Sequence, residues 1–309
     1  MNVKGIENIQ EKLEAATWKW WFYLFFVLIQ FIPSYTSKVY DPWKTGEVIG
    51  VILQNAIISS LKAWYPLFKL IPIIFVALIA LRRRGIARWF NLYVGVSYVL
   101  FAFLQHVAFT EEYGFSIVIS NLIMLLVVAA FWFWDVLAQK NDLMPVEQPT
   151  WKSWVIPLAF LAFWYPLNQE SFMPDFNPMY LFTNAAGLTF CMMTPVYLAI
   201  LILNYPQINM ATLRATGLAG IIIAFYNILL NFFMYPDLFW WNGVLHIPLL
   251  MISGCALGQK KRVRDEKMFD KITERLNSIL HIHTLSLLRT APNTSALQSK
   301  SCQVLKNFR

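Results

Sequence analysis

Residues 216–261 read TGLAGIIIAFYNILLNFFMYPDLFWWNGVLHIPLLMISGCALGQKK. This stretch contains two apolar runs, each near the ~20 residues that span a bilayer, joined by an aromatic turn. Asn227 and Asn231 stand four apart in the first run, and Asn242 and His246 four apart in the second. Helical spacing therefore gives each run a polar stripe on a single face. Counted from Asp237 at the turn, Asn231 and Asn242 lie at nearly equal depth, as do Asn227 and His246. Packed side by side, the two helices would bring four hydrogen-bonding side chains together in one half of a membrane.

The rest of the chain has the composition such a hairpin needs. Of 309 residues, 58% are hydrophobic and 17% aromatic, and only 14% are charged, against about 25% in a soluble domain. Mean hydropathy is +0.51. The three cysteines, Cys191, Cys255 and Cys302, show no CxxC or metal-finger spacing, and the first two fall in apolar runs where they read as small packing residues. The net charge of +8 belongs to the tail, because residues 259–309 hold 11 Lys and Arg against 4 Asp and Glu and the remainder 14 against 13. A basic segment directly after a membrane helix suits anionic lipid headgroups, and no basic folded module points to nucleic acid.

The fold class expected is all-α, a polytopic transmembrane bundle of about eight spans with a C-terminal amphipathic helix. Residues 1–17, with Ile6, Ile9 and Leu13 at helical spacing, form an N-terminal amphipathic segment. No signal peptide is evident. The transmembrane domain runs over 18–258, with spans at about 18–33, 64–81, 90–109, 115–137, 154–167 and 179–203 before the closing hairpin. Residues 46–61 are apolar but short and interrupted by Gln54, Asn55, Ser59 and Ser60, so they read as an interfacial or re-entrant helix, with a ninth span left open. Residues 259–309 are a basic tail, helical and amphipathic over 267–288, then Ser/Thr/Asn/Gln-rich.

Lys and Arg set the orientation. Arg82, Arg83, Arg84 and Arg88 mark an inner loop, joined by Lys4, Lys12, Lys19, Lys140, Lys152, Arg214 and the tail, whereas Lys38, Lys44, Lys62 and Lys69 belong to the first outer segment. The positive-inside rule then places both termini in the cytoplasm of a multi-pass cell-membrane protein. WYPL occurs at Trp64–Leu67 and at Trp164–Leu167; the preference of aromatics for interfaces and of proline for helix ends explains it without duplication.

Polar groups in hydrocarbon cost several kcal/mol unless partnered or wetted, so they carry the functional expectation. The outer half collects Gln105, His106, Glu111, Glu112, Asn121, Asn184, Asn227, Asn231, Asn242 and His246 as a candidate substrate site. For the Asn227/Asn231/Asn242/His246 set, interhelical bonding that holds the hairpin together is the competing structural account. Tyr180, Asn184, Gly187, Cys191 and Thr194 fall on one face of the sixth span, with a kink expected at Pro195. Asp135 is expected in the headgroup region or paired with an arginine of the second inner loop. No HExxH, GxSxG, Gly-rich phosphate loop or CxxC occurs. No cofactor and no metal site are expected, and catalytic residues are not identifiable.

Three functions fit. The first is a transporter or ligand-binding protein for a small polar or cationic solute, with an outward-facing pocket. The second is a membrane-embedded enzyme acting on a lipid or isoprenoid, using His106, His246 and Glu111 or Glu112 as acid and base. The third is a non-catalytic subunit of a larger membrane complex or oligomer. The small-molecule ligand is not specified by the sequence.

Overall fold

The computed structural model describes residues 3–83, 85–144 and 150–260; the predicted tail helix over 267–288 lies outside them. In chain order the helices begin with α1 (Val3–Thr17) and the short α2 (Trp20–Ile29). After strand β1 (Tyr35–Thr36) come α3 (Thr45–Gln54), a 3-10 segment at Ile57–Trp64 and α4 (Tyr65–Ala80). Helix α5 (Ile86–Leu104), strands β2 (Val107–Thr110) and β3 (Gly114–Ile117), and α6 (Ile119–Ala138) follow. The chain continues through α7 (Val155–Trp164), α8 (Tyr180–Thr183), α9 (Phe190–Leu203), α10 (Met210–Ile228), a π-helical segment (Leu229–Met234) and α11 (Pro236–Gly258).

Five described helices are long and apolar enough to cross a bilayer: Ile57–Ala80, α5, α6, Met210–Met234 and α11. The number becomes six if the broken pair Tyr180–Leu188 and Phe190–Leu203 counts as one. The chain is therefore an integral membrane protein by composition and helix length. Two expected spans are shorter than a bilayer, since α2 and α7 have ten residues each, about 15 Å of rise against a ~30 Å hydrocarbon core. The segment expected to be an interfacial or re-entrant helix is divided: α3 stands alone, and the 3-10 segment runs into α4.

An all-helical chain was expected, but residues 107–117 form a hairpin. Strands β1, β3 and β2 pair antiparallel in that order, Tyr35 opposite Ile117 and Thr110 opposite Gly114. The local sequence explains it. Phe109 and Phe115 face out while Ala108 and Ser116 are buried, the period of two that a half-covered strand requires. Gly114 turns the chain with φ +66°, and a Cβ there would lie 2.2 Å from Ser37 Oγ, so only glycine closes the turn without a clash. Val48 and Ile52 of α3 pack against Ala108, Tyr113 and Val118. This sheet marks one end of the bundle, called here the sheet end.

The sixth expected span also differs. It breaks by 94° at Thr189, not at Pro195, which sits inside an unbroken α9. Thr189 is extended (φ −112°, ψ 134°). Asn184 caps the preceding 3-10 turn by accepting from the Ala186 N–H at 3.1 Å. The predicted Tyr180-to-Thr194 stripe is thus divided between two directions. The two WYPL copies take opposite roles as well: Tyr65 opens α4, whereas Trp164 ends α7.

At the other end an amide network ties five segments together. Asp135, fully buried, accepts from Asn91 Nδ2 at 2.5 Å, Asn209 Nδ2 at 2.8 Å and the backbone N–H groups of Lys140 and Asn141 at 3.1 and 3.3 Å. The expected arginine partner is therefore corrected: four neutral donors occupy the carboxylate. Gln10 of α1 forms a reciprocal amide pair with Asn209 at 2.8 and 3.2 Å and accepts from Trp134 Nε1 at 2.7 Å. Asn209 Oδ1 also caps α10 by accepting from Ala211 and Thr212 N–H. Arg214 donates to the carbonyls of Thr17 at 3.2 Å and Leu257 at 3.1 Å and stacks 3.6 Å from the Trp18 ring centroid. Between these ends Phe90, Tyr98, Trp132 and Tyr197 form a buried aromatic centre. Its polar atoms are satisfied, Tyr98 Oη by Thr194 Oγ1 at 2.9 Å and Trp132 Nε1 by Thr216 Oγ1 at 3.0 Å.

Removing Asn209 strips Asp135 of a donor and α10 of its cap, so Asn209→Ala should lower unfolding stability by on the order of 2–4 kcal/mol. Thermal unfolding in detergent micelles measures this, and a melting temperature within a degree or so of wild type would contradict it.

Candidate functional site

The sheet-end polar groups gather around the place where α7 stops. Tyr165 adopts a left-handed conformation (φ 51°, ψ 67°) just past the last turn, so the final carbonyls point away from any continuing helix and need donors from elsewhere. Three segments supply them. Lys69 of α4 bonds to the Phe163 carbonyl, and its Nζ lies 4.2 Å from the centroid of the Phe163 ring. Asn184 Nδ2 donates to the carbonyls of Trp164 at 2.8 Å and Tyr165 at 3.1 Å. Trp241 Nε1 of α11 donates to Pro166 O at 2.7 Å. Gly187 is what lets the 3-10 turn approach this closely, since a Cβ there would sit 2.7 Å from Phe68 O and 3.0 Å from Lys69 N.

From Tyr165 the bonding continues into the closing hairpin. Its hydroxyl donates to Asn242 Oδ1 at 3.0 Å, Asn242 Nδ2 donates to Asn231 Oδ1 at 3.0 Å, and Asn231 Nδ2 donates to Asn227 O at 2.6 Å. Asn227 Nδ2 donates to Ile223 O at 2.9 Å and reaches Cys191 Sγ at 3.9 Å. His246 Nδ1 donates to Asn242 O at 2.7 Å, which leaves Nε2 of the neutral ring as an acceptor. Asn231 rides on the π-helical segment at Leu229–Met234, where i→i+5 bonding shifts its side chain relative to a regular helix. The equal-depth pairing expected of Asn231 with Asn242 is a hydrogen bond. Asn227 and His246 do not pair: His246 bonds within its own helix, and Asn227 bonds within its own and reaches Cys191 of α9.

The other candidates are distributed around this chain. Gln105 Oε1 accepts from the Phe190 N–H at 2.8 Å and so caps α9 where the broken span restarts. His106 is buried beside the sheet, with Nδ1 donating to Phe101 O at 3.0 Å. Glu111 and Glu112 are exposed on the hairpin turn, where Lys38 bonds to the Glu111 carbonyl. Asn121 is half-buried in the first turn of α6 and makes no side-chain hydrogen bond among the described residues. The site thus joins Asn184, Asn227, Asn231, Asn242 and His246, and separates Gln105, His106, Glu111, Glu112 and Asn121 from them.

Sequence reasoning missed Lys69, Tyr165 and Trp241. Lys69 was counted as an outer-loop charge, yet it has no exposed surface. Its position, four residues into a proline-initiated helix amid LFKLIPIIF, was the available signal, because a lysine flanked by long apolar runs on both sides has hydrocarbon neighbours. Among the described residues no three His, Cys, Asp or Glu side chains come together as a metal site.

No family model, no curated protein and no solved structure matches this chain.

His106 supplies a pH test of the sheet-end packing. Burial pushes its imidazole down to about 4, outweighing the carbonyl hydrogen bond that raises it. A folded-state value below the ordinary 6.5 means the unfolded chain binds the extra proton, so this stabilisation is present above about pH 6.5 and is lost as pH falls towards 4. The expected loss is at most about 3 kcal/mol at roughly 1.4 kcal/mol per pH unit. His106→Asn should flatten the melting-temperature decline between pH 6.5 and 4, and an unchanged slope in that variant would assign the decline to other groups.

Proposed function

We propose that this chain is a multi-pass membrane protein that binds a small polar solute, as a transporter or solute receptor, at the Tyr165–Asn242–Asn231 chain. The observation that carries the reading is the π-helical segment bearing Asn231. Such segments are rare and frequently mark functional positions, and this one places a buried amide in a hydrogen-bond chain that runs through Asn242 to Tyr165, where α7 stops short of the full span, while Asn227 one turn earlier reaches Cys191 of the restarted helix α9. Discontinuous helices with polar ends near the bilayer interior are how many transporters build solute sites. A solute would replace bonds the site now makes internally, such as Tyr165 Oη to Asn242, at little net cost in hydrogen bonding.

The same geometry supports the finer topology. On this reading the chain also crosses at the ten-residue α2 and α7, with flanking residues completing the passage: Trp18 sits at Arg214 before α2, and β1 follows it. Eight traversals then leave α1 and the root of the tail on one side, together with Arg82, Arg83, Arg88 and Lys140. The positive-inside rule assigns that side to the cytoplasm of a cell membrane and the sheet to the exterior. The basic tail would meet anionic headgroups there.

The subunit reading keeps one observation in its favour, the mutual satisfaction of Asn227, Asn231 and Asn242. An acid–base pair of His106 and His246 has no such support, because each imidazole is held in a different cluster.

The protein reconstituted in vesicles and screened against sugars, amino acids and short carboxylates should accumulate or bind at least one of them. Asn242→Ala and Tyr165→Phe should each weaken that solute about tenfold, the loss of roughly one 1.4 kcal/mol hydrogen bond. Variants that melt earlier but show no change in solute affinity would instead assign the amides to holding the helices together.

A further inference from the structure

Among the described residues, Lys69 is the one fully buried cation at the sheet end, and it makes no ion pair there. Its ammonium has three N–H donors, and among the described residues the acceptor it finds is the Phe163 carbonyl, with the Phe163 ring alongside. The only ion pair among the described residues joins Lys44 to Glu47 at the surface, 4.0 Å apart. The end of α7 offsets part of the charge, since a helix C-terminus carries about half a negative charge. Among the described residues no carboxylate pairs with the remainder, and an uncompensated ammonium in low dielectric is costly. The acidic residues that would favour a cationic solute, Glu111 and Glu112, lie exposed on the hairpin turn.

Lys69 and the amide chain share one support. Lys69 holds the carbonyl of Phe163, and two residues on, Tyr165 holds Asn242. Asn184 bonds to the carbonyls of Trp164 and Tyr165, so its amide stands in the same cap. We infer that the solute of this site is an oxyanion, a carboxylate or a phosphate group, with Lys69 as its counter-charge and the neighbouring amides and Tyr165 hydroxyl as its hydrogen-bond donors. The inference rests on the solute-binding reading above and narrows it. A cationic solute would meet a like charge in a site where water cannot screen it, whereas an oxyanion completes the two unused N–H donors of the ammonium.

The test is thermal unfolding of the full chain in phosphatidylcholine nanodiscs, titrated at matched ionic strength with sodium acetate, sodium phosphate, acetamide and methylammonium chloride. Acetate or phosphate should raise the melting temperature saturably, and acetamide and methylammonium should not. Lys69→Gln keeps a donor for the Phe163 carbonyl and removes the charge; it should lose the anion response at least tenfold, and Lys69→Arg should keep it. If Lys69→Gln does not fold, the wild-type contrast decides: equal stabilisation by acetate and acetamide overturns the inference. A response confined to nanodiscs containing phosphatidylglycerol identifies the oxyanion as a lipid headgroup, whereas a response to the soluble salts identifies a free solute. Both support the charge assignment. Stabilisation by methylammonium, or an anion response unaltered in Lys69→Gln, overturns it. If neutral sugars bind in an Asn242-dependent way and anions do not, the inference fails while the solute site stands; if nothing binds, both fail.

Discussion

The hydrogen bond from Asn209 to Asp135 is the contact on which the architecture turns. Hydrocarbon offers no partner to a buried amide or carboxylate, so each such group must be placed where the chain itself can answer it. Asn209 does this for three segments at once: it donates to Asp135 of α6, exchanges both amide bonds with Gln10 of α1, and caps the first turn of α10. Its own backbone N–H is taken by Asn141 Oδ1 at 2.7 Å. A carboxylate with four neutral donors stays buried without any cation, which is why Asp135 needs no arginine.

The opposite end meets the same demand differently. There the unsatisfied groups are the last carbonyls of α7, a helix that stops after ten residues. Donors come from an ammonium, an amide and an indole on three other segments. One end of the bundle therefore buries a negative charge among amides and the other buries a positive charge among carbonyls and an aromatic ring. The apolar centre between them, built on Trp132, Tyr98 and Tyr197, keeps the two apart.

Much of this was legible in the sequence. The closing hairpin, the depth match of Asn231 with Asn242, and the amphipathic α1 follow from spacing alone, because 3.6-residue periodicity survives in any apolar run. The hairpin at 107–117 was not legible as strand, since Val107–Phe109 continues the apolar run of α5 and a short run cannot be assigned by hydropathy. The break at Thr189 was hidden for a similar reason: Pro195 is the visible helix breaker, yet the bend arises from the Asn184 cap and the contact of Gly187 with α4, both of which involve distant partners. The burial of Asp135 and Lys69 was hidden because charge counting assigns a residue to a loop or a span, while only tertiary contacts reveal that a charged side chain is covered.

Arg214 joins the two extremities of the described domain. Its guanidinium holds the last carbonyl of α1 through Thr17 and the last turn of α11 through Leu257, 197 and 43 residues away in sequence. During synthesis from the N-terminus, α1 can meet Trp134 of α6 early, but its bonds to Asn209 and Arg214 wait until those residues emerge, and the clamp closes only after residue 257. A helix made early is thus fully seated only late, and the complete clamp on α1 requires the closing hairpin to be in place.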